Sequence, residues 1–294
     1  MRRILAALLL ICMLATLPSC GEAPAPTAAP PTRVAVLFSS LCEVWQAAGG
    51  TVSITVGESV ERGLVPEGTP LVDAGAGKQI HTERLLAERP DLVVFSLDVP
   101  AQVEAAALCE QVGIRTLGLR VESFTEYLAA VRTAVTYTGE EGALLALSAL
   151  EAEVASLLLD FEAQGTRILF VRAGSSASST KAKATGDHFA AGMLAELGCH
   201  NIADEAPLLL DTLSAEAILT ADPDAIFFSM MGDEAASRAN IESLLARPEW
   251  QALTAVREGR VYILPRNLFH FKPCARYAEA YRHLMSCLAG EVSE

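Results

Sequence analysis

Only four lysines occur in the 294 residues, and all four stand in or beside short Gly-, Ser- or aromatic-rich segments that read as loops: Lys78 in DAGAGKQ, Lys181 and Lys183 in SSASSTKAKATGD, and Lys272 in LFHFKPC. Arg120, Arg172 and Arg276 occupy similar places. The chain as a whole carries a formal charge of −14. Cations gathered at the loops of an otherwise acidic protein point to recognition of an anion, such as a ferric catecholate, a carboxylate-rich chelate or haem propionates. Lysine favours solvated loops in any protein, so the set carries the argument and no single member does.

Other chemistry-bearing residues are less organised. A bare-metal carrier needs three or four converging ligands, and the spacing of His81, His188, His200, His270 and His283 establishes no convergence. His270, flanked by Phe269 and Phe271, could ligate a haem iron or line a cleft as a polar aromatic. No CxxC pair, GxSxG, HExxH or GxGxxG is present. GAGKQ fails as a phosphate loop, because Gln79 replaces the Ser/Thr and Val72 the first glycine. A hydrolase pairing the serines of Gly174–Thr180 with His188 is the one enzymatic alternative. No catalytic residue, resident metal or cofactor is expected. With a net acidic charge and no basic stripe interleaved with aromatics, no nucleic-acid partner is expected.

Short β-branched or aromatic runs alternate with stretches of helical period, the pattern of parallel sheets built from βα units. RVAVLFS (33–39), VSITV, PLVDA, DLVVFS and IRTLGL predict strands in the first half; RILFVRA (167–173), DAIFFS and RVYILP do so in the second. AQVEAAALCEQVG and HFAAGMLAELG predict helices ending at Gly113 and Gly198. Between the halves, 139–165 has no proline and one internal glycine, Gly142, which predicts a helix of about 24 residues and about 35 Å. The expected fold class is α/β: two similar lobes with mainly parallel sheets, 33–138 and 166–294, joined by one long helix. Ligands of such sheets sit beyond the carboxyl ends of the strands. That rule adds Ser39 and Ser40, after the first strand, and Met230, after DAIFFS, to the candidates.

TERLLAERPDLVVFS (82–96) returns 133 positions later as AEAILTADPDAIFFS (215–229), with six identities in fifteen positions and no gap. The interval is too long for a solenoid and fits two similar lobes. In each copy a glutamate, Glu83 or Glu216, opens a short helix, and Pro-Asp ends that helix and starts a buried strand. An acid at a helix N-terminus is favoured by the dipole whatever else it does.

Ahead of the lobes, MRRILAALLLICMLATLPSC has two arginines, an apolar run and a small-residue approach to Cys20, the form of a secretory signal over 1–19. GEAPAPTAAPPT makes 20–32 a semi-extended tether. Cys20 resembles the lipidated cysteine of bacterial lipoproteins; Pro18 departs from the usual residue, which leaves ordinary signal cleavage as the alternative. Export permits disulfides. Cys199, at a helix end, and Cys287, in the terminal helix, form an expected pair, with Cys42–Cys109 a second.

Two α/β lobes, a connecting helix, a lipoprotein leader and the repeated phrase together resemble the solute-binding proteins of bacterial ABC importers, in the group that carries iron-siderophores, haem and cobalamin. REGRVYILPRNLFHFKPCARYAEAYRHL resembles that group's closing strand and helix. The resemblance implies capture of a small-molecule metal chelate, of the iron(III)-siderophore type, in the interlobe cleft and delivery to a membrane permease dimer. Haem or a corrinoid is the alternative cargo; Gly75, Gly77 and Lys78 ahead of Glu83 stand where a corrin carrier offers aromatics. The resemblance also implies that Glu83 and Glu216 meet arginines of the permease, and that the protein is lipid-anchored on the outer face of the cell membrane or periplasmic.

Overall fold

The computed structural model describes residues 29–73, 79–161, 163, 165–206, 208–211 and 213–291; the leader, Cys20 and Lys78 lie outside the described residues. β1 (Val34–Val36), β2 (Leu92–Ser96) and β3 (Arg115–Leu119) form a parallel sheet in that order. The second sheet uses β4 (Arg167–Ala173), β5 (Lys181–Ala182), β6 (His200–Asn201), β7 (Ala225–Met230) and β8 (Val261–Ile263). Its order is β5-β4-β7-β8 with β6 paired to β4, and every pairing is parallel except β4 with β5. Strands β1, β2 and β7 are buried along their whole length, which is why they read as unbroken apolar runs rather than alternating ones. The expected strands VSITV and PLVDA shrink to single parallel bridges, Ala35 to Ile54 and Thr55 to Leu71, because a helix already opens at Gly57 and Asp73 turns back to bridge Ile80.

The repeat is a pair of equivalent latches. In the first lobe the Asp91 amide donates to Arg33 O at 2.7 Å, and Asp91 Oδ2 accepts from the Arg33 amide at 2.8 Å. In the second, Asp224 makes the same two bonds to Arg167 at the same distances. The arginine side chains also correspond: Arg33 reaches Glu88 O and Arg115 reaches Asp91 O, while Arg167 reaches Ala221 O and Arg260 reaches Asp224 O. Before each Pro-Asp stands a residue in the left-handed region, Arg89 at φ 47° and Asp222 at φ 38°.

The helices that position the cleft are α1 (Ser39–Ala47), α2 (Gly57–Glu61), α3 (Thr82–Ala87), α4 (Pro100–Gln111), α5 (Phe124–Thr138), α6 (Ala143–Asp160) and α7 (Phe189–Glu196). The connecting helix α6 has 18 residues, about 27 Å, rather than the expected span of 139–165. Gly139 at φ 75° ends α5 instead of starting the connector, and Phe161 is already extended at the far end. Ion pairs Arg132–Glu151 and Arg282–Glu153 join α6 to α5 and to the C-terminal helix Tyr277–Leu288. Among the described residues no helix is long and apolar enough to cross a membrane.

One face of each sheet contributes to a single apolar cluster: Val34, Val94 and Leu117 from the first, Phe170, Phe227 and Tyr262 from the second, with Tyr277 and Tyr281 of the C-terminal helix between. The opposite faces are covered separately, by clusters around Val93 and Cys109 in the first lobe and around Val171 and Phe228 in the second. All five described cysteines are buried free thiols, a correction to the expected Cys199–Cys287 and Cys42–Cys109 bridges. Cys42 and Cys109 belong to clusters on opposite faces of one sheet. Cys199 and Cys287 share a cluster but are not bonded to each other, and burial pushes both thiols up to about 12.

Hydrogen bonds, first from the Thr32 hydroxyl and then from the Arg33 and Thr32 amides, hold Asp91 below the usual carboxylate range; the Thr254 hydroxyl and amide do the same for Asp222. A carboxyl depressed in the folded state stabilises above its unfolded pKa, and that contribution is lost as pH falls through the folded value. Asp91→Asn is therefore expected to melt below the wild type at neutral pH. The gap should close as the pH is taken below the ordinary aspartate value of about 3.9; thermal melts across that range check it, and a gap that persists in acid counts against the latch.

Candidate ligand-binding cleft

Arg172 lies in β4 itself, one residue before its end, not in the loop beyond. Its neighbours Val171 and Ala173, and Ala182 of β5, pack in the outer cluster of the second lobe. Alternation along a strand therefore turns Arg172, Lys181 and Lys183 to the inner face. There Arg172 is register partner of both Lys181 and Ser229, and Ser229 Oγ is buried without a hydrogen-bond partner among the described residues. The Arg172 guanidinium is half-buried; burial lowers its pKa, and the charge of Glu122 works the other way. No carboxylate among the described residues forms an ion pair with it. An arginine stays charged under such conditions, so its lost hydration is only partly offset, by the charge of Glu122.

Lys272 approaches the same place from the segment after β8, its ammonium 5.2 Å from the centre of the Phe189 ring and paired with Glu122 of the other lobe. The charges of Arg172, Lys272, Lys183 and His270 all act on His188. Burial first, and these four after it, drive the His188 pKa down to about 3. His188 Nδ1 accepts from the Ala190 amide at 3.2 Å, so the neutral ring carries its proton on Nε2. His270 has the opposite tautomer: Nδ1–H donates to Met230 O at 2.9 Å, leaving the Nε2 lone pair 3.3 Å from an Arg266 nitrogen that donates to it. Burial is the main cause of its lowered pKa.

The remaining candidates are dispersed. Arg120 pairs with Asp98 at 2.9 Å inside the first lobe. Arg276 is committed to both oxygens of Glu279 at 2.7 Å and to Asn267 O. The Met230 side chain packs in the outer cluster, and only its carbonyl serves the cleft. Ser40 is buried and accepts from Cys274 Sγ at 3.7 Å. Ser39 is fully buried between Glu58 and Arg62.

Those last contacts belong to a seam that the sequence reading missed. Arg62 bonds Glu43 at 2.5 Å and lies 4.1 Å from the Phe271 ring of the opposite lobe. Burial raises the Glu43 pKa, and Arg62 opposes it. Glu58 and Arg62 sit in GESVERG, directly after the predicted strand VSITV, so the rule of loops after strands could have found Glu58, which it did not name; Arg62 lies a helical turn further on. Glu122 stands two residues beyond Arg120 but is an acid, so a pattern of cations does not include it.

A cavity of about 200 Å³ lies between the lobes, lined by Ser123 and Phe124 at the start of α5, His188, Phe189 and Met193 at α7, and Tyr281. Among the described residues no three His, Cys, Asp or Glu side chains are grouped to hold a metal ion. The Ser/His hydrolase arrangement does not assemble: Ser176, Ser178 and Ser179 bond one another, and His188, buried and reluctant to take a proton, is unsuited as their base.

A family model described as periplasmic binding protein matches residues 34–268. No curated protein matches the chain in sequence. Among solved structures, the periplasmic vitamin B12 binding protein BtuF of Vibrio cholerae is similar at 21% identity and a TM-score of 0.71, over 88% of this chain and 97% of that one. The periplasmic heme-binding protein RhuT from Roseiflexus sp. RS-1 gives 18% identity and 0.70, over 88% and 98%. Staphylococcus aureus SirA complexed with staphyloferrin B gives 19% and 0.66, over 90% and 94%. Such identities establish a shared fold. With the family model running from the first strand of one lobe to the short helix Arg266–Phe269 of the other, the chain belongs to the periplasmic binding protein family.

Proposed function

We propose that this protein is the solute-binding component of an ABC importer, exported by its 1–19 leader, anchored through Cys20, and specific for an anionic iron(III)-siderophore-type chelate held between its lobes. The family supplies the coarse part: its members are solute-binding proteins, and a small-molecule ligand and a membrane permease follow as partners. The ligand class rests on Arg172, a half-buried guanidinium without an ion-pair partner among the described residues, with Lys181 and Lys183 on its face of the sheet. Haem is the second reading, favoured by His270, whose Nδ1–H···O bond to Met230 fixes the ring with Nε2 free of a proton, the arrangement a metal-ligating imidazole uses.

Native mass spectrometry and absorbance of the protein purified from its own host identify the cargo, and titration with ferric citrate tests the charge argument. Saturable binding is expected, at least about tenfold weaker in Arg172→Ala. Equal affinity in that variant sinks the anionic reading. A Soret band that disappears in His270→Ala selects haem instead.

Permease docking through Glu83 and Glu216 belongs to the same proposal. Each is exposed in the first turn of its helix, α3 and Ala215–Ala221 respectively. The double variant Glu83→Lys/Glu216→Lys is expected to keep its ferric citrate affinity and melting temperature while uptake is lost, because two attractive pairs become repulsive at an interface. Intact uptake with a lowered melting temperature would show that the two acids serve only their helix dipoles.

A further inference from the structure

One carboxylate enters the cation cluster from the opposite lobe. Glu122 pairs with Lys272, and its charge reaches Arg172; it also lines the cavity beside His188 and Phe189. Three other acids stand near: Glu126 and Glu196 line the same cavity but accept from the Glu122 amide and the Tyr281 hydroxyl, and Glu58 is engaged by Ser39 and acts on His270 rather than on Arg172. Glu122 stands in the short loop between β3 and α5, where its backbone is pinned. Its amide donates to Glu126 Oε2 at 2.6 Å, and the Glu126 amide donates to the capping Ser123 Oγ at 3.2 Å. The side chain is another matter. It is 49% exposed, against 15% for Lys272, so the acid is the half of the pair that can swing into water while the backbone stays in place.

We propose that Glu122 is a built-in counter-anion of the cleft: with no ligand bound its carboxylate neutralises Lys272 and faces Arg172, and a ligand binds by putting its own oxyanion in that place and sending Glu122 into solvent. The inference rests on the anionic-ligand reading of Arg172. It makes Glu122 a specificity-determining residue. An anionic chelate exchanges one ion pair for another, whereas a neutral chelate of similar shape brings no oxyanion to take that place and leaves the Glu122–Lys272 pair as it is, so Glu122 sets the balance between charged and uncharged ligands.

The test compares wild type with Glu122→Gln, using ferric citrate as the anionic probe and ferrichrome, a neutral iron(III) hydroxamate, as the uncharged one. Glu141→Gln, which removes an exposed acid ahead of α6, controls for net charge. Glu122→Gln is expected to bind ferric citrate about tenfold more tightly at low ionic strength, with the gain shrinking in added salt. Ferrichrome should bind the two proteins alike, and Glu141→Gln should match wild type. Equal ferric citrate affinity in wild type and Glu122→Gln overturns the exchange while the anionic reading stands. Weaker binding of both probes by Glu122→Gln makes the pair a structural strut and overturns it as well. If ferric citrate binds neither protein, the anionic reading falls and this inference with it.

Discussion

A parallel sheet leaves the amide and carbonyl at the start of its first strand in need of partners, and both lobes meet that constraint with the aspartate after a proline. Asp91 returns to Arg33 and Asp224 to Arg167 through the same pair of backbone and carboxylate bonds. In the second lobe this latch fixes where β4 begins relative to β7, and so which β4 residues face inward. A slip of one residue would exchange the two faces of a strand. Arg172 would then enter the apolar cluster around Val171 and Phe228, and the cleft would lose its half-buried cation. A bond at the amino end of a strand thus determines the chemistry at its carboxyl end.

The two lobes share one apolar cluster, and that sharing changes what their charges do. Arg132–Glu151 and Arg282–Glu153 are about half exposed, and pairs of that kind contribute roughly 0–1 kcal/mol each. The packing of Phe124 and Tyr127 against Tyr277, with ring centres 4.9 Å and 5.8 Å apart, does more to hold α5 to the C-terminal helix. Where the seam excludes water, the balance is different. Arg62 is 15% and Glu43 23% exposed in their side chains, and each is tolerable there because the other is present, as the opposing effects of burial and Arg62 on Glu43 indicate.

How far the sequence reached follows from the range of each interaction. Strands β4 and β7 are almost the predicted runs, because burial on both faces leaves an unbroken apolar signature. The repeat was visible because equivalent latches demand the same Pro-Asp at the same offset. The connecting helix was drawn too long because a helical period does not reveal a left-handed cap, and Gly139 serves α5. At the cleft, loop position points to Arg172, Lys183, Lys272 and His270, whose charges all act on His188. Arg276 and Arg120 share their composition yet are neutralised locally, by Glu279 three residues away and by Asp98 across a loop. Pairing of that kind depends on side-chain direction, which residue type and spacing do not encode. The same blindness hid Glu122 and Arg62, whose roles arise only from what the other lobe brings to them.

An acidic protein that binds an anion has to overcome its own field, and distance decides the outcome. The formal charge of −14 is spread over the whole chain and acts through solvent. There it is screened beyond about 8 Å at physiological ionic strength. An anion held at Arg172, Lys183 and Lys272 would meet them at a surface where burial has already lowered the affinity of His188 and His270 for protons, and screening there would be weak. A unit pair at 4 Å gains about 1 kcal/mol in bulk water and about 4 kcal/mol at the effective dielectric of a protein surface. The local cluster therefore outweighs the distant acids once a ligand is inside, while the long-range field slows anions on approach. Glu122 fits that division: it keeps the cations compensated while the cleft is empty, at the one place where an uncompensated charge would cost most.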